Sequence, residues 1–189
     1  MKKLQANNEN LKEIITALEN GAVLVLPTDT VYGLVCDASN NTAVENIFEI
    51  KKRDKSKPLP VFVKDLKMAE SLAEINKDQE KIIKENWPGA VTYVLPAKSQ
   101  KLSPLVYKEG TIALRQPNYP LIQDIFKKFK KPLAQTSANI SDAGVTTKIS
   151  EVISQLGDQD IILVAMGDLP VAEPSTIIDL SKGEIKKIR

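Results

Sequence analysis

The chain has 189 residues, 42% of them hydrophobic and 26% charged, which is room for one full domain and tight for two. Its 26 basic and 24 acidic side chains leave a net charge of +2, which excludes a general nucleic-acid-coating role and makes any basic function local. Four Phe, four Tyr and one Trp are too few for a base-stacking platform, and the lack of any histidine removes every Ser–His or Cys–His pair and every His metal site.

The opening "MKKLQANNEN" starts with lysines, but polar residues stand where a signal peptide needs an apolar core. No apolar run nears the roughly 20 residues that span a bilayer. Cys36 is the only cysteine, so no intrachain disulfide can form, and a reducing, cytoplasmic setting away from membranes is expected.

Leu11, Ile14, Ile15 and Leu18 in "NENLKEIITALENG" have helical spacing, with Asn candidates for the N-cap and Gly21 just past the end. "AVLVL" (22–26) reads as a buried strand that ends at Pro27. "TAVENIFEIK" predicts an amphipathic helix capped by Thr42, and "LPVFV" (59–63) another strand. Two helical stretches follow, near 65–75 and 77–86, then a Pro88-Gly89 turn and a strand at 91–95. "TIALR" (111–115) is a strand, "YPLIQDIFKKF" a helix and "PLAQT" a short strand. "ISEVISQL" predicts a helix, "DIILVAM" a strand, and "STIIDL" and "EIKKI" closing strands. Alternating helices and strands, some strands close together, predict an α/β class with a mixed sheet in a single domain over 1–189.

Three stretches carry candidate chemistry. No Walker-type or dinucleotide-type glycine loop occurs among the eight glycines, so a nucleotide would have to be held by side chains and local turns. "LPTDTVYGL" (26–34) leaves a buried strand and presents Thr28, Asp29, Thr30 and Tyr32 before Gly33 is expected to turn the chain. An ordinary polar loop would read the same way. "KKRDKSKPLP" places five basic side chains in the seven residues Lys51 to Lys57, ahead of Pro58. This is either a solvated cap favouring the helix dipole or a grip for a polyphosphate, where lysine charge joins the planar fork of arginine. "QTSANISDAG" offers Thr136, Ser137, Asn139 and Ser141 after a strand, as donors and acceptors or as loop caps. "KKFKK" (127–131) reads as the wet end of a helix, with RNA phosphate contact as the alternative.

Taken together, "PTDTVYGL", Lys51-x-Arg53 followed by "KPL", "WPGAVT", "ALRQP", "TSANIS" and "STIID" resemble the YrdC family of threonylcarbamoyl-AMP synthases. The motifs run in order from about residue 20 onward, and the chain matches the short, single-domain members without the extra C-terminal domain of longer ones. The resemblance implies a twisted mixed sheet with helices packed on it and a basic concave face. It implies condensation of L-threonine, bicarbonate and ATP to threonylcarbamoyl-adenylate and pyrophosphate, for tRNA threonylcarbamoyladenosine (t6A). It places Lys51, Arg53, Ser137 and Asn139 as a catalytic tetrad around ATP, with Lys57, Thr111 and Arg189 near the nucleotide. Thr28, Arg115, Gln135 and Ser175 fall on the threonine side, with Thr30 as an alternate to Thr28.

Mg²⁺ is expected with ATP, on few protein ligands and with no prosthetic group. A tRNA or double-stranded RNA contact and a downstream threonylcarbamoyl transferase complex are the implied partners. Three residues depart from the family pattern: Phe62 stands in place of a histidine, Asp54 of a proline and Asp142 of a glycine. Two other readings stay open, an RNA or ribosome-assembly binding module and a paralogue acting on a different acyl or carbamoyl substrate.

Overall fold

Leu24 and Leu26 face one side of a sheet and Val25 between them the other, and this alternation recurs across the central strands. Leu34, Cys36, Val61, Ala134 and Leu163 join Val25 in one core, while Val35, Phe62, Leu133 and Val164 join Leu24 in a second. Central strands buried on both faces require helices on both sides. The computed structural model describes residues 1–7, 9–141, 143–144 and 146–189, so the Asp142 departure lies outside the described residues.

The elements in chain order are β1 (Lys2–Gln5), α1 (Leu11–Glu19), β2 (Leu24–Leu26), β3 (Gly33–Asp37), α2 (Asn41–Lys51), β4 (Val61–Phe62), α3 (Leu66–Leu72) and α4 (Lys77–Asn86). They continue with β5 (Val91–Pro96), β6 (Tyr107–Lys108), β7 (Thr111–Arg115), α5 (Pro120–Phe129), β8 (Leu133–Ser137), α6 (Ile149–Leu156), β9 (Ile162–Ala165), β10 (Thr176–Asp179) and β11 (Lys186–Lys187). The strands form one mixed sheet in the order β1-β9-β2-β3-β8-β4-β7-β5-β10-β11, with β6 beside β7. The α/β class and mixed sheet are as expected.

Helices α2, α3, α4 and α6 cover one face, through residues such as Ile47, Ala69, Ile83 and Val152. On the other face, α1 and α5 bury Ile14, Leu18, Ile125 and Phe126 against β9, β2, β3 and β8. That cover stops short of β7, β5 and β10. Tyr93, Leu95, Ile112 and Leu114 are buried on the first face, whereas Val94, Pro96, Thr111 and Ala113 on the second remain half-exposed. Half of one sheet face is therefore open, and the candidate site lies on it.

Several local readings change. The α2 cap is Asn40, whose side-chain oxygen accepts from Ala43 N at 3.1 Å, while Thr42 is exposed inside the first turn. Gly33 does not turn the chain; it opens β3, where an added Cβ would come within 3.3 Å of the Thr136 carbonyl oxygen on β8. β4 is shorter than "LPVFV" predicts, and β1 and β6 carried no apolar alternation to announce them.

Replacing Asn40 with Ala is expected to cost about 1 kcal/mol in urea unfolding, and Thr42→Ala less than about half of that. The reverse order would return the cap to Thr42.

Candidate active site

Helix α2 ends at Lys51, and Lys52 takes a left-handed conformation (φ 52°) that turns the chain out toward Arg53. Lys51 is 2% exposed. Its ammonium donates to Ser137 O at 2.7 Å, Asn139 O at 2.5 Å and Asn139 Oδ1 at 3.2 Å. An ammonium has three protons, so all its donors are engaged by the turn that follows β8. Burial, followed by the nearby Arg53 charge, lowers the Lys51 pKa from its ordinary 10.5 to about 8.

Arg53 is held by main-chain carbonyls, its Nε donating to Lys57 O at 2.9 Å and its Nη2 to Pro58 O at 3.3 Å. Arg189 is held the same way, with Nε and Nη2 donating to Ser175 O at 3.0 and 2.9 Å. Burial, then the charge of Arg189, draws the Arg53 pKa down, against a smaller opposing pull from Asp54. Asp54 turns instead to the Ser56 N–H at 2.8 Å. Among the described residues no carboxylate forms an ion pair with Lys51, Arg53 or Arg189. Three fixed cations without an acid partner make a site for an anion. The basic run thus divides, since Lys52, Lys55 and Lys57 are exposed and only Arg53 and the charge of Lys51 bear on the cleft.

The opposite end gathers around Arg115. Its Nη2 pairs with Asp29 Oδ1 at 2.5 Å, its Nη1 donates to Thr30 Oγ1 at 3.3 Å and its Nε to Gly89 O at 3.0 Å. Thr28 and Thr30 share a hydrogen bond of 3.0 Å, and Thr28 Oγ1 donates to Val31 O at 2.7 Å. Phe62 is fully buried, its ring centroid 5.6 Å from Arg115 Cζ. Ser175 and Thr92 hydroxyls, both buried, lie 3.0 Å apart.

Phe62 pairs with Arg115 on one side and Leu133 on the other, so four residues along each strand Thr111 and Ser137 are level. They lie about 13 Å from the Arg115 level at the usual strand rise. Thr111 donates to Lys108 O at 2.7 Å. Gln135 is buried between the two ends and makes no side-chain hydrogen bond among the described residues. The predicted residues therefore sort into a cationic group around Lys51 and Arg53 and an Arg115 group whose Thr28 adjoins Gly33, the β3 partner of Ser137, while the Lys57 side chain is exposed. Thr92 escaped the prediction, its available signal being a polar residue inside the apolar run "VTYVL"; Asp29 was singled out with its loop but given no role of its own. Lys127 and Lys128 are exposed at the end of α5, while Lys131 pairs with Asp37 at 2.7 Å. A cavity of about 280 Å³ lies against Thr28, Asp29 and Thr30, and a larger one of about 490 Å³ near Gly21 and Asp160 touches none of the predicted site residues.

The Sua5/YciO/YrdC family model, whose description reads "Telomere recombination", matches residues 16–189. A threonylcarbamoyl-AMP synthase of Aliivibrio fischeri is 32% identical over 178 residues, spanning 93% of this chain and 96% of the relative. One from Pseudoalteromonas translucida is 35% identical over 187 residues, spanning 95% and 98%. The crystal structure of P. abyssi Sua5 complexed with L-threonine superposes with a TM-score of 0.89 at 29% identity, over 100% of this chain and 56% of that one. This chain thus spans little more than half of that structure.

Two opposite pH trends are expected from Lys51. Above about pH 8 its charge is lost in the folded state, so affinity for tripolyphosphate, read by calorimetry, falls between about pH 7 and pH 9. Between about 8 and 10.5 the folded protein holds fewer protons than the unfolded chain, so the Lys51 contribution to stability rises with pH. Lys51→Met should flatten both trends; profiles identical to wild type would remove Lys51 as their cause.

Proposed function

The chain belongs to the Sua5/YciO/YrdC family, and from that premise we propose that it is the enzyme that condenses L-threonine, bicarbonate and ATP to threonylcarbamoyl-AMP and pyrophosphate for t6A synthesis. The observation that carries this is that Arg53 and Arg189 are each held by main-chain carbonyls and form no ion pair among the described residues, in one protein with the Arg115–Thr28–Thr30 cluster. A polyphosphate end and an amino-acid end share one floor.

The chemistry asks little proton transfer of the protein. The free amine of threonine attacks bicarbonate, a C–N bond forms and water leaves, giving a carbamate. A carbamate oxygen then attacks the α-phosphorus, and the bond to pyrophosphate breaks. The chain has no histidine and burial drives the Cys36 thiol far above its usual range; in this scheme both nucleophiles come from the substrates, and the amine proton leaves in the water formed from the bicarbonate hydroxyl. What remains is to hold three anionic groups in line and to stabilise the departing pyrophosphate.

Within the tetrad, we assign two kinds of work. Lys51 and Asn139 shape the turn, since Asn139 Nδ2 also donates to Ile140 O at 2.8 Å. The Ser137 hydroxyl makes no hydrogen bond among the described residues and, with Arg53, meets the phosphates directly. Arg189 and Thr111 lie along the nucleotide with Arg53, and the exposed Lys57 stands at its outer edge. Thr28, Thr30, Arg115, Gln135 and Ser175 form the threonine side.

Mg²⁺ belongs to the proposal only as the counter-ion of ATP. No group of three potential ligands gathers among the described residues, so the donor set does not fit a protein-held ion. Contact with tRNA or double-stranded RNA, delivery to a transferase complex, a cytoplasmic location and a single YrdC-like domain over 1–189 also stand as proposals. The family match over 16–189 supports the last of these. No helix among the described residues is long and apolar enough to cross a membrane.

Pyrophosphate release should require threonine and bicarbonate together with ATP and Mg²⁺; release that persists without either would overturn the reading. Arg53→Ala should lower turnover by about 10²–10³-fold, the usual loss for one transition-state donor. Ser175→Ala should raise the threonine KM and leave the ATP KM near wild type, and equal rises would take Ser175 off the threonine side.

A further inference from the structure

Asp29 is the acid of the Thr28–Thr30 loop, and its side chain is only 13% exposed. Its two oxygens serve different segments. Oδ1 accepts from Arg115 Nη2 at 2.5 Å, and Oδ2 accepts from the backbone N–H of Asn118 at 3.0 Å. One carboxylate therefore joins the β2–β3 loop, the end of β7 and the turn into α5. Arg115 is 2% exposed, and a guanidinium at that depth without a counter-ion is strongly disfavoured.

Planarity fixes the rest. Arg115 spends one N–H on Gly89 O, one on Thr30 Oγ1 and one on Asp29, which leaves two of its five donors. Their directions are set once the plane of the fork is set. The Phe62 ring lies against the guanidinium and limits its tilt.

We propose that Asp29 is a positioning residue for amino-acid recognition, fixing the Arg115 guanidinium so that its two remaining donors meet the α-carboxylate of threonine. This rests on the synthase reading, which supplies that end of the cleft with its substrate. Asp29 also cancels the Arg115 charge. The amino-acid end then suits a net-neutral zwitterion, while a polyphosphate is drawn to the end where Lys51, Arg53 and Arg189 have no acid partner.

Asp29→Asn keeps the side-chain shape and an oxygen acceptor but removes the charge. L-threonine and ATP are titrated separately into wild type and variant by calorimetry, with thermal melting alongside. The expected result is a threonine Kd raised about ten- to a hundredfold, the scale of a displaced binding group, with ATP binding unchanged or tighter. Asp29→Glu, which keeps the charge but moves it by one methylene, should fall between the two; if the Asn variant does not fold, this variant decides on the same criterion. Unchanged threonine affinity overturns the proposal. So does an equal loss for both ligands tracking a lower melting temperature, which is what a merely structural role predicts. Wild-type protein that fails to bind threonine overturns the synthase reading instead.

Discussion

The ammonium of Lys51 is buried with oxygen dipoles for company and no carboxylate. Such a charge loses its hydration and regains only part of that energy from three acceptors, so it works against folding. Its effect is to fasten the end of α2, which packs on one face of the sheet, to the exit of β8 at the sheet's centre. The Ser141 N–H closes the same joint by donating to Lys51 O at 3.0 Å. Without that joint, neither the Ser137–Asn139 turn nor the departure of Arg53 from the helix has a fixed place. Perturbed ionisable groups held against stability are characteristic of working sites.

The electrostatic layout follows from the sheet. Because α1 and α5 cover only the β9-to-β8 side, strands β7, β5 and β10 keep an open face flanked by loops from distant parts of the chain. Three cations without acids sit at or near one end, and a compensated Arg115–Asp29 pair sits at the other. A net charge of +2 over the whole chain conceals this polarity, since 26 basic and 24 acidic side chains nearly cancel in the sum. A local field of that kind orients an anionic ligand as well as attracting it.

Much of this was legible in the residues, and the exceptions are physical. Helices such as α1, α5 and α6 announce themselves by apolar spacing, because each buries a single stripe. Strand β7 was readable from a run of apolar residues that ends in a charge. β1, a polar edge strand, has no such pattern, and β3 was masked because its glycine looked like a turn while serving close approach to β8. The order of strands, set by long-range pairing, cannot be read from local periodicity. At the site, residue types marked Lys51, Arg53 and Arg115 as charged. Only the packed structure shows that the first and last are buried and that their donors are largely committed to the protein. The basic run looked uniform in sequence, yet a left-handed residue at Lys52 sends neighbouring side chains to different surroundings.

The link between Arg189 and Ser175 has a consequence for how two ligands know of each other. A single backbone carbonyl receives both arms of the Arg189 guanidinium, and the same residue's hydroxyl contacts Thr92 beside the Arg115 strand. A ligand that moved Arg189 would therefore alter the surroundings of Ser175, and a ligand at Ser175 would alter those of Arg189. Thermodynamic reciprocity makes the two effects equal in free energy, whichever ligand arrives first. Any coupling between the two groups of the cleft would have this carbonyl oxygen on its path and would need no moving domain.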